Sequence, residues 1–137
     1  MPKRETPLIL LADDDKDFKE IISAKLLAEG FEIAEAANGA EAITKAKSLI
    51  PDLVVMDIQM PDVNGTEAVV DIKHTPETKD VKIVFFSSMN HPWPGAKDEN
   101  PEMAKALGAV TFLQKGQDLD SIVKKFKELV AEPNPSS

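Results

Sequence analysis

The sequence predicts an α/β domain built on a parallel sheet with helices on both faces. Short apolar runs alternate along the chain with segments of helical periodicity. The runs at 8–12 and 53–56 are continuously apolar, which is typical of strands buried on both faces of a sheet. The 137 residues are enough for one domain with a five-stranded sheet and its helices.

Three strands and two helices are predicted in the first part of the chain. Gly30 is a stop signal at the end of the first helix, and Asn38-Gly39 is a turn signal between the second strand and the second helix. In chain order the elements are strand 8–12, helix 16–29, strand 31–37, helix 40–49 and strand 53–57. The residues expected on the buried faces of the two helices are Phe18, Ile21, Ile22, Leu26, Ala42, Ile43, Ala46 and Leu49.

The second part of the chain continues the alternation. Asn100-Pro101 is an N-cap followed by proline at the first helical position, and the short helix that it begins stops at Gly108. The other elements are helix 66–73, strand 82–86, strand 110–113 and a helix from 118 or 119 to 130. The last helix carries Leu119, Ile122, Val123, Phe126 and Leu129 at helical spacing. We expect a single domain over 1–137, with a core of about 7–130 and a flexible tail at 131–137.

Composition excludes several classes of function. The net charge of −8, with no basic stripe, opposes nucleic-acid binding, which depends on cationic contacts to phosphate. The absence of cysteine excludes disulfides and thiol catalysis and fits a cytoplasmic location. The apolar runs are far shorter than the roughly 20 residues of a membrane span. Residues 1–5 are not followed by the apolar h-region of a signal peptide, so we expect no signal peptide, and we expect no membrane insertion.

Acidic residues follow two of the predicted strands. Asp13 and Asp14 come directly after the first strand, and Asp57 ends the third. If these strands are neighbours in a parallel sheet, the three carboxylates share the edge where open α/β sheets place their sites. Two unit charges ~4 Å apart repel by ~4 kcal/mol at an effective dielectric of 20. Such a cluster implies a divalent cation, a raised pKa, or both, and its oxygen ligands favour Mg²⁺.

Further polar residues end the later strands, namely Ser87 after the fourth and Lys115 after the fifth. The order of acid pair, acid, hydroxyl and amine resembles the receiver domain of two-component response regulators, over about residues 7–130. The motifs that carry the resemblance are Ile9-Leu10-Leu11-Ala12-Asp13-Asp14-Asp15, Val55-Met56-Asp57-Ile58-Gln59-Met60-Pro61 with Gly65, and Gly108-Ala109 leading to Phe112-Leu113-Gln114-Lys115. The resemblance implies a flavodoxin-like, doubly wound five-stranded parallel sheet of order 2-1-3-4-5, with helices on both faces.

The resemblance also implies a role for each site residue. Asp57 is the phosphoacceptor nucleophile, and it binds Mg²⁺ together with Asp14 and the backbone carbonyl of Gln59. Asp13 acts on the ion through a coordinated water. Taken singly, Asp57 could be an ordinary turn aspartate, and Asp13 to Asp15 could be an N-cap cluster, the role that we expect for Asp15.

The resemblance implies that two residues bind the phosphoryl oxygens and that a third, the aromatic switch residue, changes its position when the phosphoryl group is present. Lys115 supplies a positive charge to those oxygens, and the Ser87 hydroxyl turns toward them. Phe112 stands at the position of the aromatic switch residue, where it lacks the hydroxyl of the usual tyrosine. Read singly, Ser87 could be a strand-end hydroxyl bonded to backbone, and Lys115 a solvated loop lysine.

The function implied is a phosphorylation-controlled switch and not a metabolic enzyme. A histidine kinase or phosphotransfer protein would donate the phosphoryl group, and the only catalysis would be Mg²⁺-dependent self-phosphorylation and autodephosphorylation. No DNA-binding domain follows in this sequence. The protein would therefore act through protein contacts, on a target that the sequence does not name, or be a fragment of a longer regulator.

The chain also departs from the family pattern after Lys115 and in the connection 89–100. Gly116 follows Lys115 where many members have proline, which can loosen the loop that positions the lysine. The connection 89–100 is longer than in most relatives and contains Trp93, the sole tryptophan, between two prolines. It is either a surface loop without function or a partner-binding lip.

Three other functions use the same residues or architecture. A phosphohydrolase of the haloacid-dehalogenase type would place an acid two residues after the nucleophile, where this chain has Gln59. A nucleotide-binding module would have a glycine-rich phosphate cradle after the first strand, where this chain has Asp13 to Asp15. A receiver that binds partners without being phosphorylated is the third alternative, and the intact residue set argues against it.

Overall fold

The structure, a computed structural model, describes residues 6–57, 65–87, 111–114 and 118–131. Its elements are β1 (Leu8–Ala12), α1 (Lys16–Ala28), β2 (Glu32–Ala36), α2 (Gly39–Leu49), β3 (Leu53–Asp57), α3 (Gly65–Lys73), β4 (Lys82–Ser87), β5 (Thr111–Gln114) and α4 (Leu119–Ala131). The connection 89–100 and the predicted helix that ends at Gly108 lie outside these residues.

The strands form a parallel sheet in which β1 lies between β2 and β3. β4 follows β3, and β5 pairs with β4. The order β2-β1-β3-β4 confirms this part of the predicted strand order. Because β1 and β3 are direct neighbours, their C-terminal ends lie side by side at one edge of the sheet. None of the helices in the described ranges is both long enough and apolar enough to span a membrane.

The core of the described residues consists of two clusters, and successive residues of β1, β3 and β4 alternate between them. Leu10 and Val54 belong to the first cluster, whereas their neighbours Ile9 and Leu53 belong to the second. The first cluster includes buried residues of α2 and α3, namely Ala42, Ala46, Ala68, Val69 and Ile72. The second includes residues of α1 and α4, namely Ile22, Leu26, Ile122, Val123, Phe126 and Leu129. This division explains why the runs of β1 and β3 at 8–12 and 53–56 are continuously apolar.

Local signals in the sequence set both ends of α1. The Asp15 side chain accepts a hydrogen bond from the Phe18 N–H at 3.1 Å, which makes Asp15 the N-cap. At the other end, Gly30 has φ +96°, a conformation that glycine adopts without strain. The Phe31 N–H donates to the Leu26 carbonyl at 3.1 Å, as in a Schellman motif. The predicted N-cap and the predicted helix stop are both confirmed.

Side chains also cap α2, but its C-terminal end was not predictable. The Asn38 side chain accepts from the Glu41 N–H at 2.8 Å, and the Glu41 carboxylate accepts from the Ala37 N–H at 2.6 Å. The Ala37 hydrogen bond lowers the pKa of Glu41. The C-cap residue that follows the helix is Ile50, which adopts φ +47°, a strained conformation for a β-branched residue. Packing of Ile50 against the first core cluster offsets this strain.

Two residues predicted on buried helix faces are exposed, so these assignments were wrong. Ile21 is 56% exposed and Leu49 is 37% exposed. In α1 the buried stripe runs through Ile22 and Leu26, and each helical residue rotates by about 100°, so Ile21 falls at the solvent side. Leu49 is the last residue of α2, where the chain turns away toward β3.

Two ion pairs join α1 to α4 on the outside of the second cluster. Lys25 Nζ lies 2.7 Å from Asp120 Oδ1, and Lys127 Nζ lies 2.5 Å from Glu29 Oε1. The hydrogen bond from Lys25 lowers the pKa of Asp120 and raises the pKa of Lys25 itself. The hydrogen bond from Lys127 lowers the pKa of Glu29.

Because of these two ion pairs, we expect the free energy of unfolding to fall in acid. Because the folded-state pKa values of Asp120 and Glu29 are lowered, their contribution is complete above the unfolded values of about 4 and is lost as pH falls through the folded values. We expect Asp120→Asn to lower the urea midpoint at pH 7 and to have a smaller effect at pH 3. The control is Glu20→Gln, which changes an exposed acid of α1 for which the described residues show no ion pair, so its effect should be small at both pH values. An undiminished effect of Asp120→Asn at pH 3 would contradict the ion-pair explanation.

Candidate functional site

The candidate site lies at the edge of the sheet where β1 and β3 end. Ala12, the last residue of β1, is in register with Met56 of β3. Asp13 and Asp14 therefore follow β1 beside Asp57, the final residue of β3. The register thus brings the three predicted carboxylates to one place.

Backbone hydrogen bonds position Asp13. Its N–H donates to the Ala36 carbonyl at 3.0 Å, which extends the pairing between β1 and β2 by one residue. Its Oδ1 atom accepts from the Asp15 N–H at 2.8 Å, so the entry into α1 orients the side chain. Asp13 is 3% exposed, whereas Asp14 is exposed to solvent. Asp15 serves as the N-cap, and this leaves Asp13 and Asp14 as the residues of the acidic run that face Asp57.

The three carboxylates are close enough to share one ion. One carboxylate oxygen from each of Asp13, Asp14 and Asp57 lies within 4.8 Å of the other two. Exposed acidic groups often cluster without an ion, but Asp13 and Asp57 are only 3% and 4% exposed. Burying two like charges is unfavourable unless a cation or a proton offsets them. An all-oxygen donor set with one solvent-facing side fits Mg²⁺, which keeps several of its waters.

Three packed phenylalanine rings lie beside the end of β3 that carries Asp57. Asp57 is in register with Phe86 of β4, whose side chain is fully buried in the second core cluster. The Phe86 ring makes an edge contact with Phe18 of α1 at a centroid distance of 5.4 Å. It also packs against Phe126 of α4 at 6.0 Å. Apolar surroundings of this kind strengthen electrostatic interactions at the strand end.

The remaining predicted site residues are only partly described. Ser87 is the last residue of β4, and its backbone pairs with Gln114 of β5, so β4 and β5 end at the same edge. Lys115 and Gln59 lie outside the described residues. Phe112 lies in β5, where its backbone is in register with Phe85 of β4. The structure therefore brings together Asp13, Asp14 and Asp57 and leaves the roles of the other four as predictions.

The sequence did not indicate the aromatic support under the site. Phe86 and Phe126 were predicted as ordinary strand and helix residues, and Phe18 as part of a helix face. The available signal was the position of Phe86 immediately before Ser87, at the end of a strand that leads to the site edge. Only the packing of α1 and α4 on one face shows that the three rings meet.

Comparison with known proteins identifies the family. The family model of the response regulator receiver domain matches residues 9–127, most of the chain. The chain belongs to this family. Among curated relatives of this receiver is protein-glutamate methylesterase/protein-glutamine glutaminase 1 of Methanosarcina acetivorans, 38% identical over 120 residues. That match covers 85% of the chain but only 32% of the relative, so the receiver spans about a third of that protein's length.

Solved structures agree with the receiver fold. The chemotaxis protein CheY4 of Vibrio cholerae superposes with a TM-score of 0.78 at 26% identity, covering 90% of this chain and 98% of that one. The receiver domain of sensor histidine kinase PA1611 from Pseudomonas aeruginosa has a TM-score of 0.78 at 20% identity, covering 93% and 99%. That structure is described with a magnesium ion coordinated in the active-site cleft. At this identity the likeness concerns the fold alone.

Proposed function

We propose that this receiver accepts a phosphoryl group on Asp57 and thereby changes the surface that it offers to partner proteins. The observation that carries the proposal is the buried Asp57 carboxylate at the end of β3, within 4.8 Å of carboxylate oxygens of Asp13 and Asp14. A carboxylate in that position can act as a nucleophile where charge on a phosphoryl group is offset.

The reaction is a transfer between two nucleophiles. A carboxylate oxygen of Asp57 attacks the phosphorus, and the bond from phosphorus to the donor atom breaks. The donor keeps the electron pair of that bond, and the product is an acyl phosphate on Asp57. Mg²⁺, when bound, would offset the negative charges of the carboxylates and the phosphoryl oxygens. Asp14, Asp57 and the Gln59 carbonyl would hold it directly, with Asp13 acting through a water.

Two further residues complete the proposed site, and one completes the switch. The Lys115 ammonium would bind a phosphoryl oxygen, and the Ser87 hydroxyl would move toward another. The position of Ser87 at the end of β4 supports this role. Movement of Ser87 would open space for the Phe112 ring to turn inward, which alters the face beside β5. Phosphorylation shifts the equilibrium between these two arrangements only as far as the phosphoryl group interacts more favourably with one of them than with the other.

We further propose that the chain forms one receiver domain with the complete flavodoxin-like fold. The pairing of β5 with β4 and the two separate helix-bearing core clusters support a five-stranded sheet with helices on both faces. The predicted tail would comprise residues 132–137, because Ala131, which was placed in that tail, is the last residue of α4.

The partners follow from the chemistry of the site. A histidine kinase or phosphotransfer protein would be the donor, and a protein would be the downstream target. The net charge of −8 argues against direct binding of nucleic acid. We place the protein in the cytoplasm, and we propose self-phosphorylation and autodephosphorylation as its only catalysis.

Acetyl phosphate tests the proposal without a cognate kinase. Incubation with acetyl phosphate and Mg²⁺ should add one phosphoryl group, which intact-mass measurement detects. Hydroxylamine should remove it because the product is an acyl phosphate, and EDTA should suppress its formation. An unchanged mass, with the protein folded and Mg²⁺ saturating, would instead favour a receiver that binds partners without phosphorylation.

The ligand roles predict a ranking of Mg²⁺ affinity. A bound ion raises the melting temperature because it binds the folded state. We expect this rise to be smallest in Asp14→Ala, a direct ligand, and intermediate in Asp13→Ala. Without Mg²⁺, Asp14→Ala should be more stable than the wild type because a like charge is removed. For Asp13→Ala the lost hydrogen bond to the Asp15 N–H reduces this gain.

Asp17→Ala is the matched control, since Asp17 is an exposed acid in the first turn of α1. A wild-type response to Mg²⁺ in Asp14→Ala would refute its role as a ligand.

A further inference from the structure

β2 is the outermost strand on one lateral side of the sheet, which we call the β2 edge. Among the described residues, β2 pairs with β1 and with no other strand. The Glu32 N–H donates to the carbonyl of Pro7, the residue before β1. The Ala36 carbonyl accepts from the N–H of Asp13, the residue after β1. Successive residues of a strand direct their backbone groups to opposite edges, so Ile33 and Glu35 direct theirs outward. Outward-facing N–H and C=O groups can pair with a strand from another molecule.

Two side chains of α2 occupy part of this edge. Lys45 Nζ donates to the outward-facing Glu35 carbonyl. The Glu41 carboxylate accepts from the Ala37 N–H at 2.6 Å, just beyond the end of β2. Glu41 and Lys45 lie one helical turn apart, and their charged groups approach to 3.5 Å. We call these two residues the edge pair.

A third contact fixes the strand itself. The Glu35 carboxylate accepts from the Ser23 hydroxyl of α1 at 3.1 Å. Glu35 is thus held by its side chain to α1 and by its carbonyl to α2. The described residues offer no hydrogen bond to the Ile33 N–H, the Ile33 carbonyl or the Glu35 N–H. The edge pair therefore covers one end of the β2 edge and leaves the middle accessible.

We infer that the edge pair blocks the pairing of β2 with β2 of a second copy of this chain. Two edge strands of identical copies can pair antiparallel about a two-fold axis, in which each copy uses the same groups. Lys45 uses one of the two lone pairs of the Glu35 carbonyl and places its ammonium group beside the outward-facing backbone, so an incoming strand would have to displace it to pair there. Displacing Lys45 would also separate it from Glu41. Charged residues at an edge strand oppose association in this way.

Removal of the ammonium tests the inference. We expect Lys45→Ala to self-associate at a concentration about tenfold lower than the wild type, because an incoming strand no longer has to displace the ammonium from the Glu35 carbonyl. Sedimentation velocity over a concentration series measures this change. Hydrogen exchange locates it, since the Ile33 and Glu35 amides should become protected on association. Lys45→Met removes the charge and keeps most of the side-chain length, so it provides the same test if alanine destabilises α2.

Lys47→Ala is the matched control. Lys47 lies on the same helix, but its ammonium pairs with Asp71 of α3 at 3.2 Å. The Lys47→Ala variant should self-associate at the same concentration as the wild type. Equal association of the Lys45 variants, the control and the wild type would overturn the inference. Association that leaves the Ile33 and Glu35 amides unprotected would overturn it as well, because another surface would then be responsible.

Discussion

Replacement of Asp57 by asparagine should abolish phosphorylation by acetyl phosphate. The amide has nearly the same shape as the carboxylate but lacks the anionic oxygen that attacks phosphorus. Asp57 is buried at the end of β3, and the substitution also removes one of three clustered negative charges. The variant should therefore remain folded, and the loss should be specific to the chemistry. Intact-mass measurement after incubation with acetyl phosphate and Mg²⁺ checks this.

The same substitution at an exposed position provides the control. Asp71 lies on α3, away from the carboxylate cluster, where it pairs with Lys47. Asp71→Asn should be phosphorylated to the same extent as the wild type. Labelling of Asp57→Asn at the wild-type level would show that another residue is the phosphoacceptor.

The largest loss of stability is expected for Phe86→Ala. Phe86 is fully buried, and it joins Phe18 of α1 to Phe126 of α4 beneath the site. Truncation of a buried phenylalanine to alanine costs about 3–5 kcal/mol. That is a large part of the roughly 5–15 kcal/mol by which a domain is stable. Urea unfolding followed by circular dichroism measures the change in the free energy of unfolding.

Val70→Ala is the comparison, because Val70 is 40% exposed on α3. Its effect should be within about 1 kcal/mol, as for surface substitutions in general. A cost below about 1 kcal/mol for Phe86→Ala would mean that the three rings do not form a tightly packed support. Phe86→Leu should fall between the two, because it retains most of the buried apolar volume.

Much of the fold could be predicted because local and global signals agree. The apolar runs of β1 and β3 are buried on both faces, so their composition alone identified them as inner strands. Asp15 and Gly30 act within one turn of the chain, so their capping roles were predictable too. The carboxylate cluster was predictable because the ends of neighbouring parallel strands must meet at one edge.

The features that were not predicted depend on contacts between distant residues. The exposure of Ile21 depends on how α1 is rotated against the sheet, and residue spacing defines that rotation only to within one position. The exposure of Leu49 depends on where α2 ends and the chain turns toward β3. The left-handed conformation of Ile50 opposes local preference and persists through packing. The contact between Lys45 and the Glu35 carbonyl likewise joins two elements that no local pattern relates.

The identity of the phosphorylated residue tests the central claim most directly. Borohydride reduces an acyl phosphate to the alcohol, so an aspartyl phosphate becomes homoserine at the modified position. After phosphorylation by acetyl phosphate and reduction, peptide mass spectrometry should find homoserine at position 57, and only in samples that contained Mg²⁺. Homoserine at position 13 or 14, with aspartate retained at 57, would contradict the assignment of Asp57 as the phosphoacceptor.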